Sequence, residues 1–276
     1  MADERRRYLI QQMELGGSEV VLGRTLGPPA AGSAARPPRA EAPAASGAAA
    51  VSPPNAVPGG AEPKWKKGAP PVPGPGLTVE PPALSLLTGD PLVDLESLEA
   101  VAEVIRVCER CALCAGRTHA VPGEGSPQAG LVFVGEGPGA TEDATGRPFV
   151  GQAGKLLDDI IAAIGLRRED VYIANVVKCR PPQNRTPLPD ETAACMPFLR
   201  RQLALLGPKV IMALGATAAA ALLDTRKSLG DLRGKVHTYG GIPLVVTYHP
   251  AALLRNPNWK KPAWDDVRIA RQLLDR

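Results

Sequence analysis

Five cysteines carry the most distinctive chemistry of this 276-residue chain, and they fall into two groups. Two residues separate Cys108 from Cys111 and Cys111 from Cys114, whereas fifteen residues separate Cys179 from Cys195. An odd number of cysteines in a chain without a secretory signal argues against a disulfide framework and indicates metal or redox chemistry. A zinc ribbon normally has a second tight Cys-x2-Cys pair, which is absent, whereas iron–sulfur clusters tolerate wider spacing. The spacing favours an iron–sulfur cluster without proving it, and buried structural thiols would explain two groups poorly.

Three polar motifs each follow a predicted strand: GEGPGATED at 135–143, NVVKCRPP at 175–182 and HPAALLR at 249–255. Asn175 offers a hydrogen-bond donor and an acceptor, His249 a donor, and Phe149 a face for stacking. Taken singly, the asparagine would be a turn former and the histidine a surface residue. Together in one cleft, these three side chains could hold a planar polar ring.

The GEGPG turn also has a glycine pattern like that of a dinucleotide-binding fingerprint. Ala140 occupies the third glycine position, and no acidic residue ends a second strand at the required distance. The pattern therefore disfavours dinucleotide binding and indicates only that a backbone segment approaches something closely.

Alternating apolar runs and amphipathic segments predict the elements that position these motifs. Strands are expected at 131–136, 171–177, 209–214 and 242–249, and helices at 92–107, 155–164, 190–206, 217–223 and 264–274. This alternation predicts an α/β fold with a short, mainly parallel sheet covered on both faces. Because ligand sites of such sheets lie at the carboxyl ends of the strands, the three motifs are expected to converge there.

The N-terminal third of the chain has a different composition. Residues 27–86 contain 15 Pro, 15 Ala and 8 Gly, too few large apolar side chains to offset the entropy of ordering. We therefore predict a short amphipathic leader at 1–24, a disordered Pro/Ala/Gly-rich linker at 25–89 and a folded domain at 90–276. Deleting residues 1–86 is accordingly expected to leave the activity of the domain nearly intact.

Charge and hydropathy exclude several classes of protein. The net charge is only +4, so nucleic-acid binding would depend on a local patch. The charged N-terminus predicts no signal peptide, and the longest apolar stretch, 210–223, is far shorter than a membrane span. The expectation is a cytoplasmic protein that binds no membrane.

A family resemblance is carried by the segments GEGPGATEDATGRPFVGQAG, VYIANVVKCRPPQNR and YHPAALLRNP, which occur in this order with the cysteines. In this combination the chain closely resembles the family 4 uracil-DNA glycosylases, iron–sulfur members of the uracil-DNA glycosylase superfamily, from about residue 108 to 276. The resemblance implies a three-layer αβα sandwich. It also implies an enzyme that flips deoxyuridine out of DNA and hydrolyses its N-glycosidic bond, leaving an abasic site for base excision repair.

The resemblance also assigns residues. By it, Phe149 stacks on uracil, Asn175 pairs with the O4 and N3–H edge, and His249 donates to O2. Glu136 and Glu142 are the candidates for activating water, the alternatives being a turn hydrogen bond and a helix N-terminal charge. The residues matching the ligands of a 4Fe–4S cluster are Cys108, Cys111, Cys179 and Cys195, with Cys114 outside the ligand set. The residues expected at DNA are Arg180, Arg185 and Arg255, with Lys260 and Lys261 in the same phosphate patch and Leu253 as the wedge that fills the vacated stack.

Two positions depart from the pattern of the family 1 enzymes. Gly137, expected at the uracil, stands where family 1 has its water-activating aspartate, so the general base is not obvious. Gly139 stands where family 1 has a tyrosine that screens out thymine, so thymine must be excluded by another group.

Two other functions remain as alternatives. Related proteins that bind uracil-DNA covalently or without catalysis carry GEQPG and an Arg/His-rich insertion, which this chain lacks; a redox sensor would need an exposed, labile cluster. The expected partner is uracil-containing DNA, bound by a monomer associated with the nucleoid of a bacterial cell. The sequence names no partner for the leader.

Overall fold

A seven-stranded mixed sheet organises the part of the chain that the computed structural model describes, residues 62–82 and 91–276. In chain order the strands are β1 (Pro75–Val79), β2 (Glu124–Gly125), β3 (Leu131–Gly135), β4 (Tyr172–Asn175), β5 (Val210–Leu214), β6 (Val236–Tyr239) and β7 (Ile242–Thr247). Across the sheet their order is β1-β6-β7-β5-β3-β4-β2. The four central strands run parallel, as does β1 with β6, whereas β6–β7 and β2–β4 are antiparallel. The prediction of a mainly parallel sheet is confirmed.

Helices cover both faces of this sheet. They are α1 (Leu98–Arg106), α2 (Ala140–Thr145), α3 (Gln152–Ala163), α4 (Pro189–Leu206), α5 (Ala216–Leu223), α6 (Leu229–Leu232), α7 (Pro250–Arg255) and α8 (Lys260–Leu274). Because side chains alternate along a strand, Val132 and Val134 of β3 join a core cluster with α1, α4 and α5. Leu131 and Phe133 join a second cluster with α3 and α8. The predicted three-layer αβα sandwich is thereby confirmed.

The strands expected from apolar runs are β3, β4, β5 and β7. The short strands β2 and β6 were not predicted, because neither has a buried apolar run. The helix expected at 92–107 is interrupted: a 3-10 turn spans Pro91–Asp94, and α1 begins only after Ser97, whose side chain accepts a hydrogen bond from the amide of Ala100. None of the described helices has the length and apolar character needed to cross a bilayer.

The predicted linker is wrong for residues 62–82. Trp65 is only 4% exposed and packs in the cluster with α3 and α8, and β1 pairs with β6. Side chains of α8 hold the same segment, since Arg268 donates to the carbonyl of Lys67 and Gln272 to that of Pro70. Composition alone does not reveal these few contacts, and the compact unit therefore includes residues 62–82 instead of beginning at residue 90. The predicted leader and the rest of the predicted linker lie outside the described residues.

Candidate active site and cysteine-lined cavity

The carboxyl ends of the central strands bring the predicted ring-binding residues together. β3 and β4 pair in a register that places Gly135 opposite Asn175, and His249 follows β7 at the start of α7. The ring of Phe149 lies 5.4 Å from the ring of His249, tilted by 33°. The expected convergence of Phe149, Asn175 and His249 is therefore present in the fold.

Gly135 permits this close arrangement. A Cβ atom at Gly135 would lie 2.4 Å from Oδ1 of Asn175 and 2.5 Å from Cζ of Phe149. Phe149 itself has φ = 49°, an uncommon backbone conformation for a bulky residue and one that local structure must enforce. The site thus depends on a missing side chain at the end of β3 and a constrained backbone at the stacking residue.

Asn175 presents an unsatisfied acceptor. Its side chain is 1% exposed, and its Oδ1 has no hydrogen-bond partner among the described residues. Leaving a buried acceptor unpaired costs about 1–3 kcal/mol. A ligand with an N–H group at this position would remove that cost.

His249 is held as a neutral hydrogen-bond donor. The amide of Ala251 donates to its Nδ1 over 3.2 Å, which leaves the proton of the neutral ring on Nε2. Burial, together with the smaller effect of the positive charge of Arg255, lowers the pKa of His249 to about 4, while Glu142 acts in the opposite direction. At neutral pH the ring is therefore uncharged.

Glu136 and Glu142 have different surroundings. Oε2 of Glu136 accepts a 2.5 Å hydrogen bond from Oγ1 of Thr217, and burial raises the pKa of this carboxyl group. Glu142 accepts hydrogen bonds from the amides of Gly139, Val150 and Gly151. It thereby caps α2 and fixes the loop that follows Phe149, so its alternative role at a helix N-terminus is the one the structure gives it.

The residues expected at DNA differ in their hydrogen-bond partners and in their positions in the fold. Arg180 donates to Oδ1 of Asn184, and the guanidinium of Arg185 forms a two-point ion pair with Glu191. Gly137 packs against the loop after β4, where a Cβ would meet Val177 at 2.7 Å. Arg255 ends α7.

Leu253, expected as the base-stack wedge, is buried in this structure, and its role at DNA stays a prediction. Its side chain is 2% exposed where α7 packs on α3. The next residue, Leu254, is 43% exposed. A base-stack wedge must protrude, which makes Leu254 a second candidate in this helix.

All five cysteines line one cavity beside α1 and α4, with about 280 Å³ of empty space including its opening to solvent. Cys179 and Cys195 are buried, and the other three are half-buried. Arg117 donates to Sγ of Cys179 over 3.3 Å, and the amide of Lys178 donates to Sγ of Cys195 over 3.3 Å. Such donors stabilise thiolates, so the donor set suits a thiolate-bound metal group.

The spacing of these side chains bears on what could be bound. Among the described residues, no three His, Cys, Asp or Glu side chains are grouped closely enough to hold a single metal ion. A mononuclear zinc site needs its four ligands about one ion, whereas in a four-iron cluster each thiolate binds a different iron atom. The cavity offers the thiol donors that an iron–sulfur cluster uses, and Cys114 lies in the same lining as the other four cysteines.

Sequence reasoning missed three residues of this region. Gly135 lay within the GEGPG motif, and its role could have been suspected from the glycine. No sequence pattern points to Thr217 or Lys178. The partner of Thr217 is Glu136, which is distant in the chain, and Lys178 donates to a backbone carbonyl, that of Asn175, whose position depends on the fold.

Fold and site together define an αβα protein with Phe149, Asn175 and His249 at the carboxyl edge of its parallel strands and with a cysteine-lined cavity. The family model of the Uracil DNA glycosylase superfamily matches residues 122–268. A type-4 uracil-DNA glycosylase from Thermotoga maritima is 52% identical over 185 residues, covering 66% of this chain and 96% of the relative. One from Pyrobaculum aerophilum is 48% identical over 170 residues, covering 58% and 86%. A type-5 uracil-DNA glycosylase from Thermus thermophilus is 37% identical over 149 residues, covering 47% and 68%.

The chain belongs to the type-4 family of the uracil-DNA glycosylase superfamily. The family resemblance seen in the sequence is thereby confirmed.

Proposed function

We propose that this protein is a DNA-repair glycosylase that flips deoxyuridine out of DNA and hydrolyses its N-glycosidic bond, releasing uracil and leaving an abasic site. The observation that carries the proposal is the unpartnered, buried Oδ1 of Asn175 beside the rings of Phe149 and His249. The names of the relatives support the same activity.

Recognition follows from the polarity of the carboxamide. Oδ1 of Asn175 would accept from the N3–H of uracil, its amide would donate to O4, and Phe149 would cover the face of the ring. Cytosine presents a bare N3 and an amino group at the same positions, so both contacts would be mismatched. With each unsatisfied buried group costing about 1–3 kcal/mol, cytosine would be strongly excluded.

His249 supports bond cleavage. As the glycosidic bond breaks, negative charge collects on O2 of uracil, and the neutral Nε2–H would donate a hydrogen bond to it. Placed donors of this kind contribute about 3–4 kcal/mol to transition-state stability in other enzymes. The fixed tautomer, set by the amide of Ala251, means that no proton must be rearranged first.

Glu136 is our candidate for assisting the sugar and the water. The sugar becomes cationic as uracil leaves, so a nearby carboxylate stabilises it and can take a proton from the attacking water. The hydrogen bond from Thr217 favours the charged form of Glu136, which both roles need.

We further propose that Cys108, Cys111, Cys179 and Cys195 hold a 4Fe–4S cluster in the cavity. When bound there, the cluster crosslinks the segment after α1, the loop after β4, and α4. Because metal-binding free energy is also folding free energy, Cys195→Ala should lose iron and most of the soluble yield, whereas Cys114→Ala should keep its iron. Full activity in a preparation containing only zinc would refute the cluster.

DNA contact is proposed along the same edge. Leu254 would fill the space left by the flipped base, and Arg180 and Arg255 would lie near the phosphates. The ion pair of Arg185 with Glu191 leaves this arginine a structural role in the loop after β4.

The test is incubation with labelled duplexes containing uracil, hypoxanthine or a thymine mismatch, followed by alkaline cleavage. We expect strand breaks at uracil, lost in Asn175→Ala, with no band of slower mobility on a denaturing gel before alkali. A stable protein–DNA adduct would indicate covalent binding instead. Intact uracil duplex after incubation with folded, iron-loaded protein would contradict the glycosylase activity.

A further inference from the structure

Lys178 is a charged residue buried completely between the cysteine-lined cavity and the Asn175 end of β4. Its side chain is 1% exposed, and its Nζ donates to the backbone carbonyl of Asn175 over 2.9 Å and to Oε1 of Gln202 over 2.7 Å. A buried ammonium group is costly unless it is paired in this way. An apolar residue of similar volume would often be neutral or stabilising at such a position, so stability alone does not account for the lysine.

Gln202 extends the contact to the other end of the same strand. Its amide nitrogen donates to the carbonyl of Pro122 over 2.8 Å and to the hydroxyl of Tyr172 over 3.1 Å. Tyr172 begins β4 and Asn175 ends it. The buried network therefore holds both ends of the strand whose last residue would recognise uracil.

Lys178 also faces the cavity. Its amide donates to Sγ of Cys195, and it immediately precedes Cys179. Cys195 and Gln202 are seven residues apart, or about two turns, so α4 supplies both a thiol of the cavity and the partner of the ammonium group. One residue thus touches the cavity wall with its backbone and the recognition strand with its side chain.

We propose that Lys178 is a positioning residue that fixes the Asn175 end of β4 for uracil recognition and ties it to the cysteine-lined cavity. The inference rests on the proposed function of Asn175. Within the described part of the chain, Oδ1 of Asn175 has no hydrogen-bond partner, so the direction of its carboxamide depends on the backbone that Lys178 holds. Hydrogen bonds weaken steeply when distance and angle depart from their optimum, so a small backbone shift there is enough to lose discrimination.

The first experiment compares Lys178→Met with the native protein. For each, we would measure iron content, the absorbance of the cluster, and equilibrium binding to duplexes with a non-cleavable 2′-fluoro-deoxyuridine or with cytosine at the same position. We expect Lys178→Met to keep its iron and to lower the uracil-to-cytosine affinity ratio about tenfold, the loss of one well-placed hydrogen bond. An iron-loaded variant with a ratio within twofold of native would overturn the proposal.

Arg117→Met is the matched control. Arg117 also lines the cavity and donates to a cysteine, Cys179, and it donates further to the backbone carbonyls of Cys108 and Arg106 rather than to Asn175. We expect this variant to lose iron while the molecules that retain it keep the native affinity ratio. An equal loss of discrimination in iron-loaded Arg117→Met would contradict the specific role of Lys178, because it would show that any cation of the cavity acts alike.

A double-mutant cycle with Asn175→Ala separates positioning from general destabilisation. If Lys178 acts through Asn175, Lys178→Met has no further effect on the affinity ratio in the Asn175→Ala background. A further fall there would refute the proposal. Should Lys178→Met fail to accumulate, Gln202→Leu removes the other anchor of the ammonium group and takes its place with the same expectations. A native protein that binds both duplexes equally would instead refute the proposed function itself.

Discussion

Trp65 should be a principal anchor of the fold although it lies in a segment whose composition is typical of a linker. The side chain is buried against α3 and α8, with Arg271 over its ring at 5.1 Å. A buried tryptophan removes about 150–250 Å² from water, equivalent to roughly 4–6 kcal/mol at 25 cal/mol per Å². Measured truncations of buried aromatic residues to alanine cost about 3–5 kcal/mol, in agreement. We therefore expect Trp65→Ala to lower the free energy of unfolding by about 3–5 kcal/mol.

The assay is urea unfolding of the iron-loaded protein followed by far-UV circular dichroism, with a thermal scan beside it. For a unit of this size the loss corresponds to a fall in Tm of about 6–20 °C. Lys66→Ala is the control, because Lys66 is exposed and contributes only a cation–π contact at 5.5 Å; its effect should stay within about 0.5 kcal/mol. Deleting residues 1–61 should cost little, whereas deleting 1–82 should destabilise at least as much as Trp65→Ala. Equal stabilities of the two deletions would refute the reasoning and restore the linker assignment.

Three further predictions concern the active site. His249→Ala should lower the single-turnover rate about 10²–10³-fold while changing the affinity for uracil-DNA less than threefold, since the donor acts on charge formed in the transition state; comparable losses in rate and affinity would contradict the assignment. Thr217→Val should raise the pKa of Glu136 further above its ordinary value, so the carboxylate is protonated at higher pH. The acidic limb of the rate–pH profile then moves to higher pH, so the rate at low pH falls on the order of tenfold. Thr217→Ser should restore the native profile. Leu254→Ala should slow base flipping without loss of stability, whereas Leu253→Ala should lower stability by about 2–5 kcal/mol; stopped-flow fluorescence and urea unfolding test the two, and the reverse pattern would favour Leu253 as the wedge.

Much of the site was predictable because its residues stand at the ends of strands with a strong local pattern. β3, β4, β5 and β7 are short runs of buried apolar residues, and parallel strands bring their carboxyl ends to one edge. These patterns alone predict that Asn175 and His249 lie near one another. The resemblance to family 4 then supplied their roles, which neither spacing nor composition contains.

Residue roles that depend on the surrounding fold were harder to predict. Glu136 and Glu142 are both acidic residues of the GEGPGATED motif, and only the hydrogen bonds that Glu142 accepts from three backbone amides distinguish their surroundings. Leu253 and Leu254 are adjacent and identical in type. Their difference is the rotation of α7 about its axis against α3, which a six-residue helix does not reveal in its sequence.

The sequence by itself determined the alternation of strands and helices, the supply of thiols, and the polar groups at the strand ends, because each is a local property of residue type and spacing. Tertiary structure alone decided whether residues 62–82 are ordered. Their anchors come from far along the chain: His237 accepts from the amide of Leu77 through its Nδ1, and Arg268 donates to the carbonyl of Lys67. It likewise decided that His249 is neutral, since its pKa is lowered mainly by burial, which the local motif does not contain. Whether a segment is ordered and whether a side chain is protonated both depend on groups that come together only in the folded protein, so a local sequence pattern cannot predict them.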